Sequence, residues 1–144
     1  MPVAVKRIYE IPAREDGRRV LVDRLWPRGL SKERASVDAW MRDLAPSTAL
    51  RLWFHANRDL WRLFRKRYLK ELATPEASEA LDELHRLADD KRRLTLLFSA
   101  KDTEHNNAVV LKDLLDGMRK PPTGTGPAGA RVMRDRQVKR MPRR

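Results

Sequence analysis

A chain of 144 residues with 41% apolar and 36% charged residues and no cysteine is long enough to bury one core. It excludes disulfides, a thiol nucleophile and any Cys-ligated metal or cluster. The net charge of +12 is uneven: residues 119–144 carry nine Lys/Arg against Asp135 alone, a net +8, which leaves +4 for residues 1–118.

No apolar run approaches the ~18 residues that cross a bilayer. The N-terminus lacks the apolar segment and small-residue cleavage site of a signal peptide. The expected setting is the cytoplasm, with no membrane partner.

Val3 to Ile8 is expected to be a strand, with β-branched Val3, Val5 and Ile8. Ile11 to Arg18 makes a loop through Pro12 and the Asp16-Gly17 turn, and Arg19 to Asp23 a second strand. Its Val20-Leu21-Val22 run is apolar without alternation, the pattern of a strand covered on both faces. Ser31 caps a helical turn through Val37, with Glu33 in the first turn. Trp40 to Pro46 fits either a short strand or an extended connector, ended by Pro46.

Ser47 then caps a short helix carrying Leu50, Trp53 and Phe54. Arg58 to Leu72 is the best-defined helix, with Trp61, Phe64, Tyr68 and Leu72 at i, i+3, i+7 and i+11. That helical spacing assigns the aromatic residues to core rather than to a base-stacking platform. Thr74-Pro75 pairs an N-cap with Pro at N1 and opens a helix to about Asp90, with Ala77, Leu81, Leu84 and Ala88 on one side. Leu94 to Phe98 is a third strand, apolar almost throughout. Thr103 or Asp102 caps a last helix, with Ala108, Leu111 and Leu115 inward and Gly117 as its C-terminal stop.

Fully buried strands separated by helices imply the α/β class: a single compact domain over 1–118, with a mostly parallel sheet and flanking helices. Residues 119–144, a Pro/Gly linker followed by a basic end without apolar periodicity, are expected to be disordered.

In open α/β sheets ligands bind beyond the C-terminal ends of the strands. Asp23-Arg24 leaves the second strand and Lys101-Asp102 the third, so parallel strands would bring both pairs to one edge. Arg28 from the Trp-Pro-Arg-Gly turn, and His105 and Asn106 from the start of the last helix, would join them. Arg24, Arg28 and Lys101, with the amides of that helix start, suit a phosphate or carboxylate. Asp23, Asp102 and His105 can supply acid or base function. Trp26 either walls this cleft or anchors its loop. Taken singly, each residue also has a structural reading: Asp23 in an ion pair with Arg24 or Arg28, Asp102 as a helix cap, His105 as a solvated first-turn residue.

His55 and His85 share no metal-ligand spacing with His105, so no metal is expected. Thr123-Gly-Thr-Gly126 follows no strand and precedes no Gly-Lys-Ser/Thr, so it is not a phosphate loop, and no cofactor is expected. The basic tail would attract nucleic acid through counterion release, without sequence preference.

Four segments carry a resemblance: Val-Asp-Arg-Leu-Trp-Pro-Arg-Gly-Leu (22–30), Asp-Leu-Ala-Pro-Ser (43–47), Leu-Trp-Phe (52–54) and Ala-Lys-Asp-x-x-His-Asn-x-Ala (100–108). From about Val5 to Leu115 the chain resembles the small bacterial YeaO-like proteins, the domain-of-unknown-function 488 group. The resemblance implies a compact α/β domain with a predominantly parallel sheet and no particular activity. It adds Asp43 and Ser47 to the residues of interest, whereas the tail departs from the family's usual short ending.

The sequence therefore predicts an anionic small-molecule ligand, bearing phosphate or carboxylate (a nucleotide among the options), at the strand-end cleft. Arg24, Trp26, Arg28, Asp43, Lys101 and Asn106 would bind it, with hydrolysis or transfer by Asp23, Asp102 and His105 as the chemistry such a set can carry. The alternative is a non-catalytic nucleic-acid-associated module acting through the tail. Either fits a monomer or a homodimer.

Overall fold

The two apolar runs without alternation become the inside of the sheet. In the computed structural model, which describes residues 3–89 and 91–119, β4 (Leu94–Phe98) is buried at all five positions. It pairs in parallel with β1 (Val3–Arg7) on one side and β2 (Arg18–Leu21) on the other. The register runs Val3↔Leu94 to Arg7↔Phe98 and Arg18↔Leu94 to Leu21↔Leu97. A two-residue strand, β3 (Ala39–Trp40), adds in parallel to β2 and completes the order β1-β4-β2-β3. Alternation of side chains across β4 then divides the core. Leu94, Leu96 and Phe98 join the larger cluster, and Leu97 joins a smaller one with Ile8, Leu21 and Ala35.

Among the described residues five α-helices complete the α/β fold: α1 (Lys32–Ala35), α2 (Thr48–Ala56), α3 (Trp61–Leu72), α4 (Pro75–Ala88) and α5 (Asn107–Arg119). The larger cluster takes its side chains from α2 to α5, among them Leu50, Phe64, Tyr68, Leu84 and Leu111. Trp26, Leu30, Val37 and Trp40 cover the smaller one.

Several boundaries differ from the predicted ones, each for a local reason. The segment expected to be a strand or a connector over Trp40 to Pro46 is both: Ala39–Trp40 pairs, then Arg42–Leu44 coils into a 3-10 turn. The helix expected from Arg58 starts at Trp61, because the Asn57 side-chain amide donates to the Trp53 carbonyl and Leu60 N–H turns back onto Asn57. Thr74 precedes Pro75 at N1, but its hydroxyl donates to the Glu71 carbonyl instead of capping α4. Gly117 does not stop the last helix, which continues to Arg119. The linker and basic tail expected over 119–144 lie, beyond Arg119, outside the described residues. Among the described residues no helix is long and apolar enough to cross a membrane.

Candidate anion-binding cleft

Four parallel strands point their C-terminal ends at one edge, where the chain leaves β2 and β4. A cleft of about 460 Å³ opens there. Its lining comes from the Asp23–Leu25 exit of β2, Ala45-Pro46 ahead of α2, the Arg51 to Arg58 stretch, Phe64 of α3 and the 99–107 segment between β4 and α5. The two segments singled out in the sequence thus meet.

Their members play different parts. The Asp23 carboxylate accepts from the Ser99 N–H at 2.9 Å and its hydroxyl at 2.8 Å, and from the Asn107 amide at 3.2 Å. Trp40 Nε1 donates to the Asp23 carbonyl at 2.7 Å. Asp23 therefore ties the end of β2 to the end of β4 and the start of α5, and pairs with neither Arg24 nor Arg28. Arg24 instead donates at 3.3 Å to the carbonyls of Pro46 and Ala45, contacts that hold the guanidinium but leave its charge unneutralised. Lys101 and Arg51 are exposed and make no ion pair among the described residues.

Asp102 stands beside the cleft. One oxygen accepts the backbone N–H groups of Glu104 and His105, at 2.9 and 3.0 Å. The other faces Arg58 at 3.5 Å and His105 Nδ1 at 3.3 Å. The Glu104 N–H above all, with the His105 N–H and ring, holds this carboxyl below its ordinary value. Asp102 shapes the turn, and the cap of α5 is Asn106, whose side-chain oxygen accepts the Val109 N–H at 3.0 Å. Asn106 is buried, with its amide nitrogen donating to the Asp102 carbonyl. Both ends of its side chain serve the fold. His105, just ahead of the helix, is partly exposed and lies against the Trp61 ring at 4.9 Å.

Besides Asp102, the predicted site residues Trp26, Arg28 and Asp43 lie outside the cleft lining, as does Ser47. Trp26 donates to the Leu30 carbonyl at 2.6 Å and meets Trp40 edge-on at 5.5 Å, so it anchors its loop to the smaller core. Arg28 is exposed on that loop, where its carbonyl accepts from the Tyr9 hydroxyl. Asp43 and Ser47 line a neighbouring hollow of about 330 Å³ that shares Arg24 with the cleft. Ser47 caps α2 as expected, accepting from the Leu50 N–H at 3.1 Å, and also gives its hydroxyl and N–H to Glu71.

The cleft includes residues that sequence reasoning passed over: Arg51, His55, Arg58, Ser99, Asn107 and the floor rings Phe54 and Phe64. Arg51 and His55 stand at i and i+4 on α2, a one-face helical spacing legible in the chain, and Arg58 follows in the turn after the Asn57 cap. What the spacing does not reveal is that this face turns toward the strand ends.

A family model described as the inactive DUF488-N3 subclade matches residues 2–136. The uncharacterized protein YeaO of Escherichia coli (strain K12) is 46% identical over 117 residues, 80% of this chain and 97% of its own. The uncharacterized protein Rv3073c of Mycobacterium tuberculosis is 39% identical over 115 residues, 80% of this chain and 94% of its own. No solved structure matches. The chain belongs to the YeaO-like DUF488 family, in the subclade described as inactive.

Proposed function

We propose that this protein binds a small organic anion, bearing phosphate or carboxylate, in the strand-end cleft and does not transform it. The observation that carries this reading is the charge of the lining. Arg24, Arg51 and Lys101, none in an ion pair among the described residues, line the cleft with Arg58, which is paired to Asp102 beside it. The one lining carboxylate among the described residues, Asp23, has its oxygens already taken by Ser99 and Asn107. Cations held in a concave site with low-dielectric walls focus their field on an entering anion, and the volume falls in the usual range of ligand pockets.

Two features favour binding without turnover. Asp23 is committed to structure, and Asp102 is held ionised by backbone N–H groups, which makes it a poor proton donor near neutral pH. The description of the subclade as inactive points the same way. The expected setting is the cytoplasm.

Thermal unfolding in the presence of phosphate, sugar phosphates, nucleotides and small carboxylates tests the reading. An anion at ~100 times its dissociation constant adds about 2.7 kcal/mol. Arg24→Ala with Lys101→Ala removes charge-assisted hydrogen bonds of about 1.5–3 kcal/mol each and should abolish the shift. Arg28→Ala, outside the lining, should keep it, and the anion should be recovered unchanged after incubation. If no anion shifts the wild type more than the double variant, the site does not exist.

A further inference from the structure

The chemistry of the cleft walls says more about the ligand than its charge does. A site built for a bare ion would be walled by polar donors. Here the floor is the Phe54 and Phe64 rings, stacked at 4.4 Å, with Ala45 and Pro46 beside them. Leu25 belongs to neither core cluster, stands 61% exposed and lines the cleft next to Arg24. Rings continue from the core outward: Tyr68 to Phe64 at 5.7 Å, Phe64 to Trp61 at 5.6 Å, and Trp61 to His105 at 4.9 Å. The row starts at a fully buried residue and ends at a partly exposed imidazole in the cleft lining. Arg58 lies over the Phe54 ring at 5.9 Å, so one of the cations already sits against an aromatic face.

From this juxtaposition we infer that the ligand joins its phosphate or carboxylate to a planar ring, which packs among Phe54, Phe64, His105 and Leu25 while the anionic group meets Arg24 and Lys101. The inference rests on the anion-binding reading and narrows it. Aromatic surfaces prefer offset-stacked or edge-to-face partners at such spacings, and ring stacking tolerates different ring identities. An aryl phosphate and a nucleoside monophosphate therefore share the recognised chemistry.

Calorimetric titration of the full chain with inorganic phosphate, ribose phosphate, phenyl phosphate and adenosine monophosphate tests it. The two ring-bearing anions should bind about tenfold more tightly than the two without a ring. Leu25→Ala, at an exposed position, should weaken the ring-bearing pair by roughly 3–10-fold and leave inorganic phosphate unchanged. The tighter of phenyl phosphate and adenosine monophosphate then identifies the source of the ring. Equal affinity for all four, weakened alike by Arg24→Ala, overturns the ring preference while the anion site stands. A ring preference untouched by Leu25→Ala also overturns it, because the ring then packs elsewhere. Binding of none of the four, nor of acetate or benzoate in the same titration, removes both readings.

Discussion

Three hydrogen bonds converge on the Asp23 carboxylate, and its neighbour Arg24 finds only carbonyls at 3.3 Å. Adjacent charged residues thus divide the work, one closing the fold and the other lining the cleft. A second carboxylate shows the same use of charge away from the cleft. Asp16, 7% exposed, accepts from the Ala13 N–H, Lys6 and Arg19, the last itself 4% exposed. Burial pushes the Asp16 carboxyl up, but these donors together outweigh it and leave the group below its ordinary value. Asp16→Ala strands a buried guanidinium and should cost about 3–5 kcal/mol in urea unfolding.

Acid should reveal the same bonds. Asp16 and Asp102 are both depressed in the folded state, so their stabilisation is complete above the unfolded value of ~3.9 and is lost as pH falls through the folded values. Stability should decline below about pH 4, and Asp16→Asn should flatten part of that decline. Asp102, with a side chain 29% exposed, contributes less because solvent screens it. In the sequence Asp16 looks like an ordinary turn residue, because Lys6 reaches it from β1 and the burial of its local partner Arg19 appears only in the folded sheet.

At the scale of elements, legibility follows the range of the forces. Val20-Leu21 and Leu94 to Phe98 read correctly as covered strands, because burial on both faces leaves a continuous apolar run, although β2 ends at Leu21, short of the expected Asp23. The helices read correctly from their period, apart from their ends. Those ends were set by side-chain bonds that compete with helical ones: Asn57 onto Trp53, and Asn106 in place of Thr103 or Asp102 at the start of α5.

The Asp16-Gly17 turn was legible, but its demand for glycine was not. Gly17 has φ +66°, and a Cβ there would lie 2.2 Å from the Arg93 carbonyl oxygen. That carbonyl accepts the Arg18 N–H that starts the pairing of β2 with β4. Gly17→Ala should therefore cost about 2 kcal/mol or more in denaturant unfolding. An effect below about 0.5 kcal/mol would show that the turn adapts freely.

Over the whole molecule, the all-parallel order places every strand exit on one edge, and the strand-end rule then locates the cleft. That much was legible from two apolar runs followed by charged residues. Trp26 and Arg28 fall outside the cleft lining because a strand exit specifies where a loop begins and not where its later residues turn, and Asp43, added through the family resemblance, lines the neighbouring hollow. Arg51 and His55 were passed over because the orientation of α2 comes from the core packing of Leu50 and Phe54, and Arg58 because the Asn57 turn places it. Because the basic residues of 119–144 would also attract an anion by charge alone, location is the decisive quantity.

Backbone amide NMR of the full chain, titrated with phenyl phosphate, measures it directly. Saturable shifts should cluster at residues 23–25, 45–46, 51–58 and 99–107. Shifts confined to 119–144 or to the turn around Arg28, or no saturable shift at all, would contradict an anion site at the strand ends.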